Sequence, residues 1–472
     1  METKAVERRI FTHQDQMAFA ELSGDCNPSH VDAVYARRLV FGAQVVHGIH
    51  SLLWGMDCMF RNRAEPAEIR ALHASFPKPI RLGEEVGVCV NETAGARMRF
   101  ELRCGKSVVT SVDMETGPAP RREVGGLNGA LPPRVPPRVL TDEELPGCSG
   151  SLELYLNAAA AADLFPHLAR CLWPLQFAAV LATTRLVGVF CPGLHSIYSE
   201  LVLRKSDLAA GSALKYAVRA GARRFGQISM EISAPGLAGA IKAFRRPEPQ
   251  QQAACRILKD QVRRNEFAGQ RALIIGGSRG LGEVAAKLLA LGGAAVKISY
   301  CQGKEDADRI VADIVAGGGN AAAFRFDALK PETDSGLLEW APTHLYYFAT
   351  PFIAPGVKGA FSPSLFGRFC DFYVGGFMAA VNAFRPAGLA RIFYPSTVMI
   401  DELPANLGEY AAAKAAGETL CAFLGKTSAL KVHKPRLPRL STDQTASIMP
   451  LARLDPVPVL LAELRAFRDL PD

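Results

Sequence analysis

Ser23-Gly24-Asp25-Cys26-Asn27-Pro28-Ser29-His30-Val31-Asp32, followed by Val45-Val46-His47-Gly48, decides how the first quarter of this 472-residue chain is read. Asp25 and His30 stand five positions apart across a turn that Asn27 and Pro28 stiffen, which lets a carboxylate and an imidazole hold one water molecule. Downstream, Val45, Ile49, Leu52, Leu53, Met56, Met59 and Phe60 recur at helical spacing and predict a long buried helix. Gly48 falls at its start, where the backbone amide and the helix dipole favour negative charge on a bound oxygen. A side chain there would block close approach. Upstream, Thr12 with Asp15 predicts a helix start, the helix running to about Leu22 with Pro28 as its stop. Beyond the buried helix the period changes to two: Arg97, Arg99, Glu101 and Arg103 alternate with Met98, Phe100, Leu102 and Cys104, as in a strand with one face on a core. One buried helix wrapped by an antiparallel sheet is the plan expected of residues 1–117. Asp32 reads as a capping or surface residue, and His47 is divided evenly between a site role and a structural one.

Residues 118–149 are dense in proline and glycine and read as a linker. Residues 150–247 repeat the first plan weakly: Gly193-Leu194-His195-Ser196-Ile197-Tyr198 resembles Ala71-Leu72-His73-Ala74-Ser75-Phe76, each after a long apolar helix and before strands. This second copy has no counterpart of the Asp25 to His30 turn, so it is expected to be a packing partner that shapes a substrate channel. Residues 248–268 read as a second linker, partly helical.

From 269 to 472 strands (272–275, 294–299, 321–326, 344–349, 391–395) alternate with helices (280–291, 304–316, 363–384, 408–424), the pattern of a doubly wound parallel sheet. Gly276-Gly277-Ser278-Arg279-Gly280-Leu281-Gly282 joins the first strand to the first helix, where backbone amides can approach a pyrophosphate. Tyr410 and Lys414, four positions apart, share one helical face. The ammonium is expected to lower the tyrosine pKa towards neutrality, making Tyr410 a proton donor to a carbonyl, with Ser396 or Thr397 hydrogen-bonding the substrate oxygen. No acidic residue stands where a ribose hydroxyl would be bound. Tyr300 and Cys301 stand there instead, and with Arg279 and Lys304 nearby a 2'-phosphate is favoured over a free hydroxyl.

Two resemblances follow from these residues. Gly24-Asp25-x-Asn27-Pro28-x-His30-x-Asp32, then Ala36, Phe41-Gly42 and His47-Gly48, resembles the R-specific enoyl-thioester hydratases, the MaoC-like hotdog proteins. By that likeness Asp25 and His30 are the catalytic pair, Asn27 supports the turn and Gly48 supplies the oxyanion contact. The active motif lies in the first copy here, whereas the larger double-hotdog hydratases carry it in the second. The glycine turn with Ser396 or Thr397, Tyr410 and Lys414 resembles the short-chain dehydrogenase/reductases across nearly all of 269–472, and Asp327 matches that family's adenine-contacting aspartate. Where the family has Asn-Asn-Ala-Gly this chain has Phe348-Ala349-Thr350-Pro351, and Tyr373 stands for the helical asparagine of the usual proton relay. The fold class implied is an α+β hotdog, duplicated, followed by an α/β doubly wound Rossmann domain.

The totals agree with this division. The chain has 49% hydrophobic and 21% charged residues and a formal charge of +8, a soluble globular composition whose positive balance suits NADP(H) and coenzyme A phosphates or an acidic acyl carrier protein. Basic residues are not interleaved with aromatics, which argues against nucleic acid. The start has no apolar leader run and the stretch 177–194 is broken by Arg185 and Pro192, so no membrane span is expected and the cytoplasm is the expected location. Eleven cysteines without metal spacing predict free thiols and no metal. A homodimer is implied by resemblance alone. The function expected is NADPH-dependent reduction of a 3-oxoacyl thioester joined to dehydration of the 3-hydroxyacyl product, or the reverse. A hydratase carrying a non-catalytic nucleotide-binding domain, and a non-catalytic module that holds an acyl carrier protein, are the alternatives.

Overall fold

Thr12 starts the first helix as its spacing with Asp15 predicts. Its hydroxyl accepts from the Asp15 amide, and the Asp15 carboxylate accepts from the Thr12 amide, so two end donors of helix His13–Ser23 are satisfied reciprocally. The helix ends at Gly24, whose φ of 75° is open to glycine at little cost. Pro28 is therefore not the stop: it takes the first position of a separate short helix, Pro28–Val31, capped by the Asn27 side chain. Asp32 accepts the amides of Val34 and Tyr35 and caps the next turn, the expected structural role.

In this computed structural model residues 5–120, 127–207, 211–219, 226–331, 335–448 and 451–471 are described. They divide into two units, Met1–Glu248 with Ser447–Met449 and Pro249–Ala446 with Pro450–Asp472. Two units, not three, follow because one apolar cluster serves the whole first unit, containing Leu52, Leu53 and Met56 together with Phe177, Val180 and Leu181. The stretch expected as a second linker also differs. Cys255, Leu258, Val262 and Phe267 pack in the second unit's core, so residues 249–268 are part of that unit.

The first unit holds one ten-stranded antiparallel sheet: β1 (Glu7–Ile10), β2 (Ala67–Ser75), β3 (Glu85–Ala94), β4 (Arg97–Cys104), β5 (Ser107–Pro118), β6 (Ser149–Glu153), β7 (Ser196–Lys205), β8 (Ala213–Val218), β9 (Gln227–Ala234) and β10 (Leu237–Arg245). Its order, β1-β3-β4-β5-β2-β7-β10-β9-β8-β6, is the same five-strand arrangement used twice, joined where β2 pairs antiparallel with β7. Each half supplies one long helix, Gly48–Phe60 and Pro174–Arg185. Ile49, Leu52, Leu53, Met56 and Phe60 are fully buried, and each such side chain contributes roughly 1.5–3 kcal/mol.

The second unit is a parallel sheet of six strands, β11 (Arg271–Ile275), β12 (Ala295–Tyr300), β13 (Asn320–Arg325), β14 (His344–Tyr347), β15 (Arg391–Phe393) and β17 (Lys431–His433), in the order β13-β12-β11-β14-β15-β17. A short strand β16 (Ser396–Thr397) lies outside it. The order reverses at β11, and in doubly wound sheets the crevice beyond such a switch point is the usual ligand site. The helix expected over 363–384 is interrupted by a π-helical segment, Asp371–Gly376, between Pro363–Cys370 and Phe377–Phe384. No helix of the described residues is long and apolar enough to cross a membrane. Leu52→Ala should destabilise the protein by roughly 2–5 kcal/mol, measured by urea denaturation; a cost below about 1 kcal/mol would mean that the helix face is not the core described.

Candidate active sites in the two units

Asp25, His30 and His47 converge in the first unit, with a carboxylate oxygen of the first and a ring nitrogen of each histidine all within 4.8 Å of one another. Asp25 is 1% exposed, and such burial pushes its carboxyl pKa up, opposed by the nearby His30 and by two hydrogen bonds. The Asn27 amide donates to Oδ1 at 3.2 Å and the Thr184 hydroxyl to Oδ2 at 2.7 Å. His30 Nδ1 lies 2.8 Å from the carbonyl of Val45 and must donate to it, which leaves Nε2 unprotonated and able to accept. Burial and the neighbouring His47 push the His30 pKa down to about 3. The two imidazoles stack with centroids 3.8 Å apart. His47 is held by Gln16, whose side-chain oxygen accepts the His47 amide at 3.1 Å and lies 2.9 Å from Nδ1. Its Nε2 lies 3.0 Å from the main-chain carbonyl of Asp25. His47 thus fixes the turn from behind, and Asp25 and His30 face the cavity.

That cavity measures about 390 Å³ and is lined by Asp25, His30, Gly48, Phe76 and Tyr198 among others. The Gly48 amide, at the first helical position, has no partner one turn back in its own helix. A Cβ on Gly48 would come within 3.2 Å of the Phe76 ring. Asn27 does more than stiffen the turn: its side-chain amide reaches the carbonyls of Gly188, Gly193 and Leu194 at 2.8, 3.3 and 3.2 Å, tying the first half to the second. A Cβ at Gly188 would lie 2.1 Å from Asp25 Oδ1. Thr184, Gly188 and Gln16 were not singled out from the sequence. The one signal for the first was the pair Thr183-Thr184 directly after the apolar run 177–182.

In the second unit the glycine turn is built as a cradle. Gly276 and Gly280 have φ of 83° and 58°, and a Cβ on Gly282 would sit 2.2 Å from the Gly276 carbonyl. At Gly280 the nearest atom to such a Cβ is 3.8 Å away, so the N-terminus of helix Gly280–Leu291 keeps room for a ligand. Gly277 packs on Ile298, the Gly276 amide donates to Ser299, Ser278 is buried, and Arg279 with Leu281 flank the helix start. Tyr300 ends β12. Lys304 pairs with Asp308 at 2.6 Å along its own helix, and Asp327 accepts the Leu329 amide.

Of the two hydroxyl candidates, Ser396 donates to Glu418 at 2.5 Å, whereas Thr397 accepts the Met399 amide at 3.2 Å and is the side chain that works against the burial-driven rise of the Tyr410 pKa. Glu418 is also held by Arg436. The expected lowering of the Tyr410 pKa is not found: burial pushes it up to about 12 and pushes Lys414 down to about 7. The Lys414 ammonium donates instead to the Pro395 carbonyl at 2.7 Å and lies 4.0 Å from the Tyr373 ring centre. Tyr373 and Thr350, at the two places that depart from the resembled family, hydrogen-bond each other at 2.6 Å.

The MaoC like domain model matches residues 1–114. The chain couples a MaoC-like domain to a part that resembles the short-chain reductases. A 3-hydroxybutyryl-CoA dehydratase of Methylorubrum extorquens is 29% identical over 116 residues, 24% of this chain and 73% of that protein. A 3-oxoacyl-[acyl-carrier-protein] reductase of Synechocystis is 46% identical over 73 residues, 16% of this chain and 30% of the reductase, so the chain spans less than a third of that relative. A 3-oxoacyl reductase of Agrobacterium tumefaciens with NADP bound shares 20% identity over 38% of this chain and 73% of the other, with a TM-score of 0.34.

The buried histidines set an acid limit on stability. His30 and His47 have folded pKa values of about 3, below the roughly 6.5 of an unfolded histidine. Between those values the unfolded chain binds the extra protons, so stability is fully present above about pH 6.5 and is lost as pH falls. Each histidine steepens that loss by up to about 1.4 kcal/mol per pH unit. Urea denaturation of the wild type and His47→Gln between pH 7 and 4 should show a shallower slope in the variant; equal slopes would mean that His47 is not buried neutral.

Proposed function

We propose that the chain processes acyl thioesters in two consecutive steps: NADPH-dependent reduction of a 3-oxoacyl thioester to the 3-hydroxyacyl thioester, and R-specific dehydration of that product to the trans-2-enoyl thioester, each step reversible. The observation that carries the reading is the Asp25 and His30 pair facing a cavity of about 390 Å³ with the Gly48 amide at its edge. The repeated strand order supports taking residues 150–247 as a second hotdog copy, and the acyl carrier is coenzyme A or an acyl carrier protein.

In hydration, the unprotonated Nε2 of His30 takes a proton from water as the hydroxyl adds to the β carbon. The Gly48 N–H holds the enolate-like oxygen that develops on the thioester, and the Asp25 carboxyl delivers a proton to the α carbon. Burial that raises the acid and lowers the base suits this division. Dehydration runs the same path backwards: carboxylate takes the α proton, imidazolium protonates the departing hydroxyl, and water leaves.

The open, positive-φ cradle at Gly276 to Gly282 fits a dinucleotide pyrophosphate, with Tyr300, Lys304 and Asp327 beside the adenosine end. NADPH held there would supply the hydride. Tyr410, which keeps its proton at neutral pH, donates it to the carbonyl oxygen. Thr397 orients that hydroxyl, and Lys414 supplies positive charge from the next turn. Covalent linkage of the steps raises the local concentration of the shared 3-hydroxyacyl intermediate.

Purified protein given NADPH and 3-oxoacyl thioesters on each carrier should yield the enoyl product by mass spectrometry. Asp25→Asn should stop the sequence at the hydroxyacyl stage, with hydration reduced about 100-fold or more, whereas Tyr410→Phe should abolish NADPH oxidation and leave hydration intact. Loss of both activities in both variants overturns the division of labour. Hydration without any NADPH oxidation in the wild type would make the second unit a nucleotide-binding domain only.

A further inference from the structure

Thr183 and Thr184 are neighbours on the buried helix Pro174–Arg185 and are used differently. The Thr183 hydroxyl donates to the Val180 carbonyl of its own helix, the local bond that a threonine inside a helix ordinarily makes. The Thr184 hydroxyl is turned away from that ladder and donates to Asp25 Oδ2 at 2.7 Å, across 159 positions of sequence. Thr184 is 3% exposed and Asp25 1%, so no bulk water competes for the bond. The geometry around it is tight. Immediately after Thr184 the chain runs into a π-helical turn, Leu186–Phe190, in which Gly188 packs directly on the carboxylate and gives its own carbonyl to Asn27.

We propose that Thr184, from the half that lacks the Asp25 to His30 motif, is a positioning residue for the hydratase reaction, fixing the rotamer of Asp25 and setting how tightly its carboxyl holds the catalytic proton. The inference rests on the proposed hydratase function for its kinetic consequence but not for its electrostatic one. Asp25 has two direct donors, and removing Thr184 leaves the Asn27 amide as the one direct hydrogen bond to the carboxylate, with His30 acting on it through space. Other ionisable groups around the carboxylate are His30, His47 with Nε2 4.0 Å from Oδ2, the Cys26 thiol, and Arg185, whose side chain packs at Gly24. Arg185 is committed to the Glu153 carbonyl and stacks on Tyr155, and none of these groups replaces a hydroxyl at Oδ2. Loss of the donor makes Asp25 hold its proton to higher pH and deliver it less readily.

The test compares Thr184→Val, which keeps the shape and removes the hydroxyl, with Thr184→Ser, which keeps the hydroxyl. In hydration of a short enoyl thioester the valine variant should lose on the order of tenfold or more in kcat with little change in KM, and its alkaline pH limb should move up by about one unit. The serine variant should recover most of both. Carboxyl carbon NMR of labelled aspartate, with the Asp25 signal assigned through Asp25→Asn, reads the same proton without turnover: its titration should move to higher pH in the valine variant and return in the serine one. Unchanged titration overturns the inference whether or not the enzyme hydrates anything. A normal shift in a wild-type background that hydrates no enoyl thioester would instead overturn the function proposed above and leave Thr184 as the residue that tunes Asp25.

Discussion

A carboxylate buried to 1% exposure is the constraint around which the first unit is organised. Taking such a group out of water costs several kcal/mol unless donors replace the lost hydration. The donors come from both halves: the Asn27 amide from the turn that carries Asp25, and the Thr184 hydroxyl from the facing helix. Asn27 then fastens the halves by gathering three carbonyls of the second around its side-chain amide. One half alone would leave the acid half-solvated and the cavity without a wall. The continuous ten-stranded sheet, whose halves are joined by the β2 to β7 pairing, holds the two donors on either side of that carboxylate.

Both units use burial to shift proton affinities, with opposite starting materials. In the first, a carboxyl is raised and an imidazole lowered, bringing the two towards a shared proton that can move either way. In the second, a phenol is raised and an amine lowered, so the tyrosine keeps its proton and the lysine stands near neutrality. Positive charge near Lys414 therefore comes at a desolvation cost, offset by the Pro395 carbonyl and the faces of Tyr373 and Tyr394 at 4.0 and 4.9 Å.

Much of this was legible in the sequence because the chemistry is local. The capping pair Thr12 and Asp15, the strand Arg97–Cys104, the buried helix and the glycine turn all declare themselves within a few residues. Thr184 and Gly188 did not, since their meaning lies in a contact across more than 150 positions that no spacing encodes. The choice between Ser396 and Thr397 was equally hidden: both are adjacent polar residues on one strand, and only the distant Glu418 and Arg436 pair shows which hydroxyl is already taken. Proline misled at Pro28, where Gly24 had already ended the helix. The Tyr410 expectation failed because a nearby ammonium was weighed without the burial that neutralises it.

The two π-helical segments give a common physical reason for what sequence periodicity misses. A π turn inserts one extra residue into a helix and breaks its face, which is why such turns persist mostly where a site requires them. In Leu186–Phe190 it brings Gly188 against Asp25 and its carbonyl to Asn27. In Asp371–Gly376 it places Tyr373 between Thr350 and Lys414, at the positions where this chain departs from the resembled reductases. A regular helix through either stretch would carry these residues about 100° around the axis for each position of register lost, away from the groups they serve. The local distortion and the unusual residue thus belong together: each site has been fitted by shifting backbone register, and a reading based on a period of 3.6 passes over both.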